Sequence, residues 1–185
     1  MAKRTNSTPK TTSTSRTETD SMGAMSVPHD ALFGATTQRA VLNFPVSGRS
    51  IPPQLVAAYF ELKRAAAIAN VTLRELPRAK GDAVVEACEQ LLEDFADKRS
   101  QVMRHFPIDV FQTGSGTSTN MNVNEVIANT ASKLAGKAIG SKDPVHPNDH
   151  VNYGQSSNDT FPSAMQIAGA VEIEARLIPA LIALR

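Results

Sequence analysis

Two short stretches carry side chains suited to holding an anion: "TGSGTSTN", Thr113 to Asn120, and "QSSND", Gln155 to Asp159. From Gln112 to Asn124 there is no charge, while hydroxyl, amide and glycine groups crowd together. Neutral donors suit a ligand that brings its own negative charge and must leave again. Gly114 and Gly116 let the backbone approach a ligand closely, and Ser115 and Thr117 add directed hydroxyls. Ser156, Ser157 and Asn158 form a similar array in the second stretch. A helix start behind each stretch would add unpaired backbone N–H groups and a partial positive charge. Two such arrays could hold the two ends of a small dianion. Taken singly, either stretch reads as a cap or a turn, because Ser, Asn, Asp and Gly favour those places.

Other ligand motifs do not fit. A phosphate-binding loop needs Lys after its last Gly, where Thr117 stands. The hydrolase elbow needs a residue on each side of its Ser, but Gly114 and Gly116 flank Ser115 directly. His146 and His150 are four apart, a zinc-binding spacing on a helix face. Pro147 follows where the helix-borne motif needs Glu, and Asn148 and Asp149 favour a turn, so no metal site is expected. Cys88 lies on the apolar stripe of Val84, Val85, Leu91, Leu92 and Phe95, which makes it a core residue rather than a nucleophile.

Helices must position these groups. "SIPPQLVAAYFELKRAAAIANVTLRELP" starts one, with Ser50 as cap, Pro52 or Pro53 in the first turn, and Leu55, Tyr59, Leu62, Ala66 and Ala69 at helical spacing. Gly81–Asp82 opens a second, running to about Arg99, with Val85, Cys88, Leu92 and Phe95 inward. A third spans about Val123 to Ala135, with Gly136 as its stop. Residues 136–156 form a long polar connection. Pro162 to Arg185 reads as helix almost throughout, apolar nearly all round, so it needs to be buried among other helices; Pro179 should kink it. Residues 22–49 suggest extended or irregular structure with one short helix.

The 185 residues are 41% apolar and 20% charged, the profile of a globular chain able to bury a core. Residues 1–17 hold Lys3, Arg4, Lys10 and Arg16 and no acid, leaving 15 basic against 18 acidic residues in the remainder. That body lacks the basic patch of a nucleic-acid binder, and no apolar run is long enough to span a membrane. The single cysteine excludes an intramolecular disulfide and fits a reducing, cytoplasmic setting. The Ser/Thr-rich basic stretch 1–21 is expected to be a disordered tail. It lacks the amphipathic face of a mitochondrial targeting peptide.

"FQTGSGTSTNMNVNEVIAN" and "HPNDHVNYGQSSNDTFP" resemble the class II fumarases of the fumarase/aspartase superfamily. "DSMGAMSVPHDALFGATTQR" and "FPVSGR" resemble that family's N-terminal region, so the likeness covers about Arg16 to Arg185. Aspartases look similar but usually read Ser-Thr-Asn at Ser156-Ser157-Asn158. The resemblance implies a mainly α fold: a family-type N-terminal domain over 22–153 and the start of a central long-helix bundle over 154–185. The helix that stops at Arg185 in mid-pattern suggests the front part of something longer.

The resemblance also implies reversible hydration of fumarate to L-malate, a step of the tricarboxylic acid cycle, without metal or cofactor, in a homotetramer. By it, Ser115, Thr117, Ser156, Ser157 and Asn158 are substrate-binding residues, and His146, Asn148 and Asp149 form an accessory dicarboxylate-binding turn. A basic residue commonly sits three positions before that His; here it is Asp143. The family's general base is a serine in a Gly-Ser-Ser loop, and its catalytic His lies in a Thr-His segment. Neither occurs in these residues, so the chain is expected to bind carboxylates but to be inactive alone. An aspartate ammonia-lyase or a non-catalytic partner subunit are the alternative readings.

Overall fold

The computed structural model describes residues 14–185. It begins with an antiparallel hairpin of β1 (Ser15–Asp20) and β2 (Gly23–Pro28), paired in register from Ser15 with Pro28 to Asp20 with Gly23. The structureless tail expected over 1–21 is therefore corrected from Ser15 onward; its first 13 residues lie outside the described part. The strand escaped notice because its inward positions are charged rather than apolar. Arg16 donates to the carbonyls of Pro28 (2.7 Å) and Phe33 (2.8 Å) and pairs with Glu18, while Asp20 takes a two-pronged bond from Arg39. Satisfied charges replace the apolar alternation that would mark a strand.

Six helices follow: α1 (Ala35–Asn43), α2 (Pro53–Thr72), α3 (Arg78–Met103), α4 (Thr117–Leu134), α5 (Ser157–Glu172) and α6 (Ile178–Leu184). A π-turn, Pro147–Val151, interrupts the loop after α4, and a second, Ile173–Leu177, joins α5 to α6 without a break. The widened turn falls just before Pro179, whose ring nitrogen has no hydrogen to give.

Local sequence accounts for much of this. α2 starts where Pro52 and Pro53 preset φ, with Pro52 itself at the cap; Ser50 instead bridges to Asp109. α3 begins at Arg78 behind Pro77, so Gly81 lies inside it. A Cβ at Gly81 would meet Val71 Cγ2 at 2.1 Å, so the glycine sets how closely α3 approaches α2. α4 ends at a left-handed Gly136, with Gly136 N–H on Lys133 O (3.1 Å) and Lys137 N–H on Ser132 O (2.8 Å), the paired bonds of a Schellman stop.

The core joins α2, α3 and α4: Val56, Phe60, Val84, Cys88, Leu91, Phe106, Val123, Val126 and Ile127 are buried. α4 is buried on every side from Ser118 to Ser132. Its asparagines spend their amides on neighbouring loops: Asn122 on His105 O (2.9 Å) and Asn129 on Leu32 O (2.9 Å). Glu125, also on α4, accepts N–H bonds from Gly34, Thr36 and Thr37 at 2.8–3.1 Å, capping α1 from across the fold. α4 thus acts as the post to which the rest is tied. By contrast, the apolar residues of the last helices stand exposed, among them Val171, Leu177, Leu181 and Ile182. No helix of the described residues is long and apolar enough to cross a membrane.

Candidate active site

The first polar stretch is not a loop ahead of a helix at Val123; helix α4 already begins at Thr117. Gly116 precedes it at φ 68°, where a side chain is disfavoured, and an added Cβ would lie 2.1 Å from the Phe161 ring. Residues upstream then cap the helix. Thr113 Oγ1 accepts the Ser118 N–H (3.3 Å), and Gln112 Oε1 accepts that of Thr119 (2.9 Å). These two amides are consequently taken. The first amide of α4, on Thr117, has no acceptor among the described residues.

The second stretch repeats this arrangement. α5 begins at Ser157 rather than Pro162, and the Ser156 hydroxyl caps it by accepting the Asn158 N–H (3.2 Å). The Ser157 amide, again first in its helix, has no acceptor among the described residues. The two helix starts meet: Thr117 Oγ1 lies 2.9 Å from Ser157 Oγ and 2.7 Å from Ser115 Oγ. Residues forty positions apart thus form one line of hydroxyls, Ser115–Thr117–Ser157, at the positive ends of two helices. Asn158 stands exposed beside it. All five residues named from the sequence for the first site fall on this junction.

His146, Asn148 and Asp149 lie elsewhere, on the π-turn. His146 Nδ1 accepts the N–H groups of Asn148 and Asp149 (both 3.3 Å), and its own amide donates to His150 Nδ1 (2.8 Å). Asp149 Oδ2 approaches the same ring nitrogen at 3.3 Å. His146 and Asn148 line a cavity of about 350 Å³ with Glu18, Asp20, Glu125 and Lys142. Burial raises the Glu18 carboxyl above its usual range against the opposing pull of Arg16, and the Arg39 bond holds Asp20 below its own. None of the first site's five residues lines that cavity. Among the described residues, no three His, Cys, Asp or Glu side chains converge as a metal centre would require.

A buried polar network built around Lys63 adjoins this junction. Lys63 of α2 is fully buried, and its amine donates to Asn152 Oδ1 (3.0 Å) and Gln155 Oε1 (2.9 Å). Asn152 Oδ1 also accepts from Asn120 (3.0 Å) and Asn124 (3.2 Å) of α4. Thr160 donates to Asn120 Oδ1 at 3.3 Å. Burial holds the Lys63 amine down to about 7. Burial also pushes the nearby Cys88 thiol up to about 12, so it is uncharged at neutral pH and Cys88 is the core residue expected. A lysine within an apolar helical stripe was the available signal, and its partners are visible only in space.

A profile of the family described as "Lyase" matches residues 23–185. Curated relatives include a protein named fumarate hydratase class II 2 of Pseudomonas aeruginosa, 56% identical over 167 residues. That match covers 90% of this chain and 34% of the relative. Another, named fumarate hydratase class II of Thermus thermophilus, is 52% identical and covers 89% of this chain and 34% of its own length. Among solved structures, the class II fumarase of Schistosoma mansoni superposes with a TM-score of 0.82 at 41% identity, over 90% of this chain and 34% of that one. The chain therefore spans about a third of the length of the curated relatives it matches.

Proposed function

The chain belongs to the lyase family, and from that premise we propose that it supplies the dicarboxylate-binding part of a class II fumarate hydratase. The observation that carries this reading is the junction of α4 and α5, where three hydroxyls meet two first-turn amides that have no acceptor among the described residues. Each helix start offers positive potential and N–H donors to a carboxylate. The hydroxyl line is extended, so it can reach both carboxylates of a short diacid.

The chemistry then follows from charge. Removing the proton beside a carboxylate of malate moves negative charge onto that group, and donors already in place stabilise the charge without reorganising. Ser115, Thr117, Ser157 and the amides of Thr117 and Ser157 are donors of this kind; Ser156 and Asn158 complete the array. None of these donors is an ordinary base at neutral pH. The family likeness implies a base on a Gly-Ser-Ser loop, a motif these 185 residues do not contain. The turn at His146, Asn148 and Asp149 enters the proposal as a secondary dicarboxylate site, with Lys142 lining the cavity beside His146 and Asn148. The exposed apolar faces of α5 and α6 suit a helical bundle between subunits, in keeping with a homotetramer in the cytoplasm.

The test is to express the protein from its complete gene and measure hydration of fumarate and dehydration of L-malate, with aspartate as the competing substrate. Turnover of aspartate in place of malate overturns the reading. The 185-residue chain alone is expected to bind the dicarboxylate succinate weakly and to show negligible turnover. Malate dehydration by it, with contaminating enzyme excluded, would contradict the division of labour proposed.

A further inference from the structure

We propose that Lys63 is a positioning residue of this site: from α2 its amine holds the segment Asn152–Gln155, whose Asn152 is also bonded to α4, and with that segment the Ser156–Asn158 array. The inference rests on the dicarboxylate reading given above. Four observations support it. First, Lys63 is fully buried where Leu or Met would pack at no desolvation cost, so the core does not need it. Second, both acceptors of its amine are amide oxygens, and both belong to the four residues just before Ser156. Third, those four residues are neither helix nor strand; a few turn bonds, among them Asn152 N–H to Pro147 O and Gln155 N–H to Asn152 O (both 3.1 Å), are supplemented by side-chain bonds. Asn152 Nδ2 donates to Gln155 O (3.0 Å), and Gln155 Nε2 to Val151 O (3.0 Å), which locks each acceptor's orientation toward the lysine. Fourth, Asn152 Oδ1 receives Lys63 from α2 together with Asn120 and Asn124 from α4. One oxygen thereby registers the second polar stretch against the helix that carries Thr117. The 2.9 Å contact of Thr117 with Ser157 depends on that register.

A lysine that merely fills the core would affect global stability and nothing local. A positioning lysine affects the segment it ties and, through it, the hydroxyl line. Two measurements on the protein expressed from its complete gene separate these roles, using Lys63→Met and, because that variant may not fold, Gln155→Met, which removes one acceptor at a half-buried position. In amide hydrogen exchange, residues 152–158 should exchange at least about tenfold faster in either variant, with the α2–α3 core unchanged. In succinate titration calorimetry, affinity should fall about tenfold, and the loss should not add to that of Ser157→Ala, since both act through one hydroxyl. Exchange that is unchanged at 152–158, or raised evenly over the chain, overturns the proposal, as does strict additivity with Ser157→Ala. If the wild-type protein binds no dicarboxylate, the functional reading fails on its own, and the exchange result still decides the role of Lys63.

Discussion

Thr117 and Ser157 occupy the same position, the first residue, on two different helices, and their hydroxyl oxygens lie 2.9 Å apart. Each also presents an amide with no acceptor among the described residues. Helix starts carrying like partial charge repel when brought together, so the meeting of α4 and α5 stores a preference for an anion between them. The neighbours that could have quenched it, Gln112, Thr113 and Ser156, serve the amides of Ser118, Thr119 and Asn158 instead.

Removing either hydroxyl should therefore affect binding more than folding. Thr117→Val and Ser157→Ala are each expected to lower kcat/KM for malate by about 10- to 100-fold in the full-length protein. Unfolding midpoints should stay within about 0.5 kcal/mol of wild type, as befits surface positions. A normal kcat/KM in either variant would remove the junction from the mechanism.

Gly116 makes the junction possible. Gly116→Ala places a Cβ on a residue at φ 68° and 2.1 Å from the Phe161 ring that packs α5 against α4. We expect a loss of about 2 kcal/mol or more in urea unfolding, from backbone strain and overpacking together. An unchanged midpoint would mean that Phe161 moves away freely.

Glu125 separates capping from charge. Its carboxylate takes three α1 amides through two oxygens, with Thr36 on Oε1 and Gly34 and Thr37 on Oε2. Glu125→Ala should cost about 2–3 kcal/mol, since it strands buried donors. Glu125→Gln keeps one accepting oxygen and should cost about half as much. Denaturant curves of the two variants test this ordering, and equal losses would contradict it.

The buried lysine predicts a pH dependence with a definite sign. Lys63 falls from an ordinary 10.5 to about 7 in the folded chain. Between those values the unfolded chain keeps a proton that the folded chain has released, so stability rises with pH in that window. Below about 7 both states are protonated, and the cost of burying the charge is present in full. The stability difference between wild type and Lys63→Met should therefore shift in favour of wild type by roughly 1–2 kcal/mol from pH 7 to pH 8.5. Parallel stability curves over that range would show that the amine titrates normally.

Several features were legible before any coordinates. The apolar stripe of α3 with Cys88 inside it, the Gly136 stop, and the two polar stretches depend on local preference and spacing, which sequence displays directly. The helix starts were read six and five residues late, at Val123 and Pro162 instead of Thr117 and Ser157. Runs of Ser, Thr and Asn are weak helix formers; what holds them helical here are caps from Gln112, Thr113 and Ser156 and, in α4, burial from Ser118 onward. The β1 strand was missed for a related reason: its inward groups are Arg16, Glu18 and Asp20, whose partners are carbonyls and an arginine distant in sequence.

Residue types and their spacing supply the available groups: neutral donors in two clusters, apolar helices to carry them, and a family likeness that points to a substrate class. Which of those donors stay unpaired among the described residues is set by the fold. Capping consumes some amides and leaves those of Thr117 and Ser157 without an acceptor among the described residues, and Asn152 joins the second cluster to Asn120 and Asn124 of α4 and to Lys63 of α2. The physical reason is that a hydrogen bond satisfied at one helix start is unavailable to a ligand. Which bonds are satisfied depends on distances between residues that the linear order does not encode.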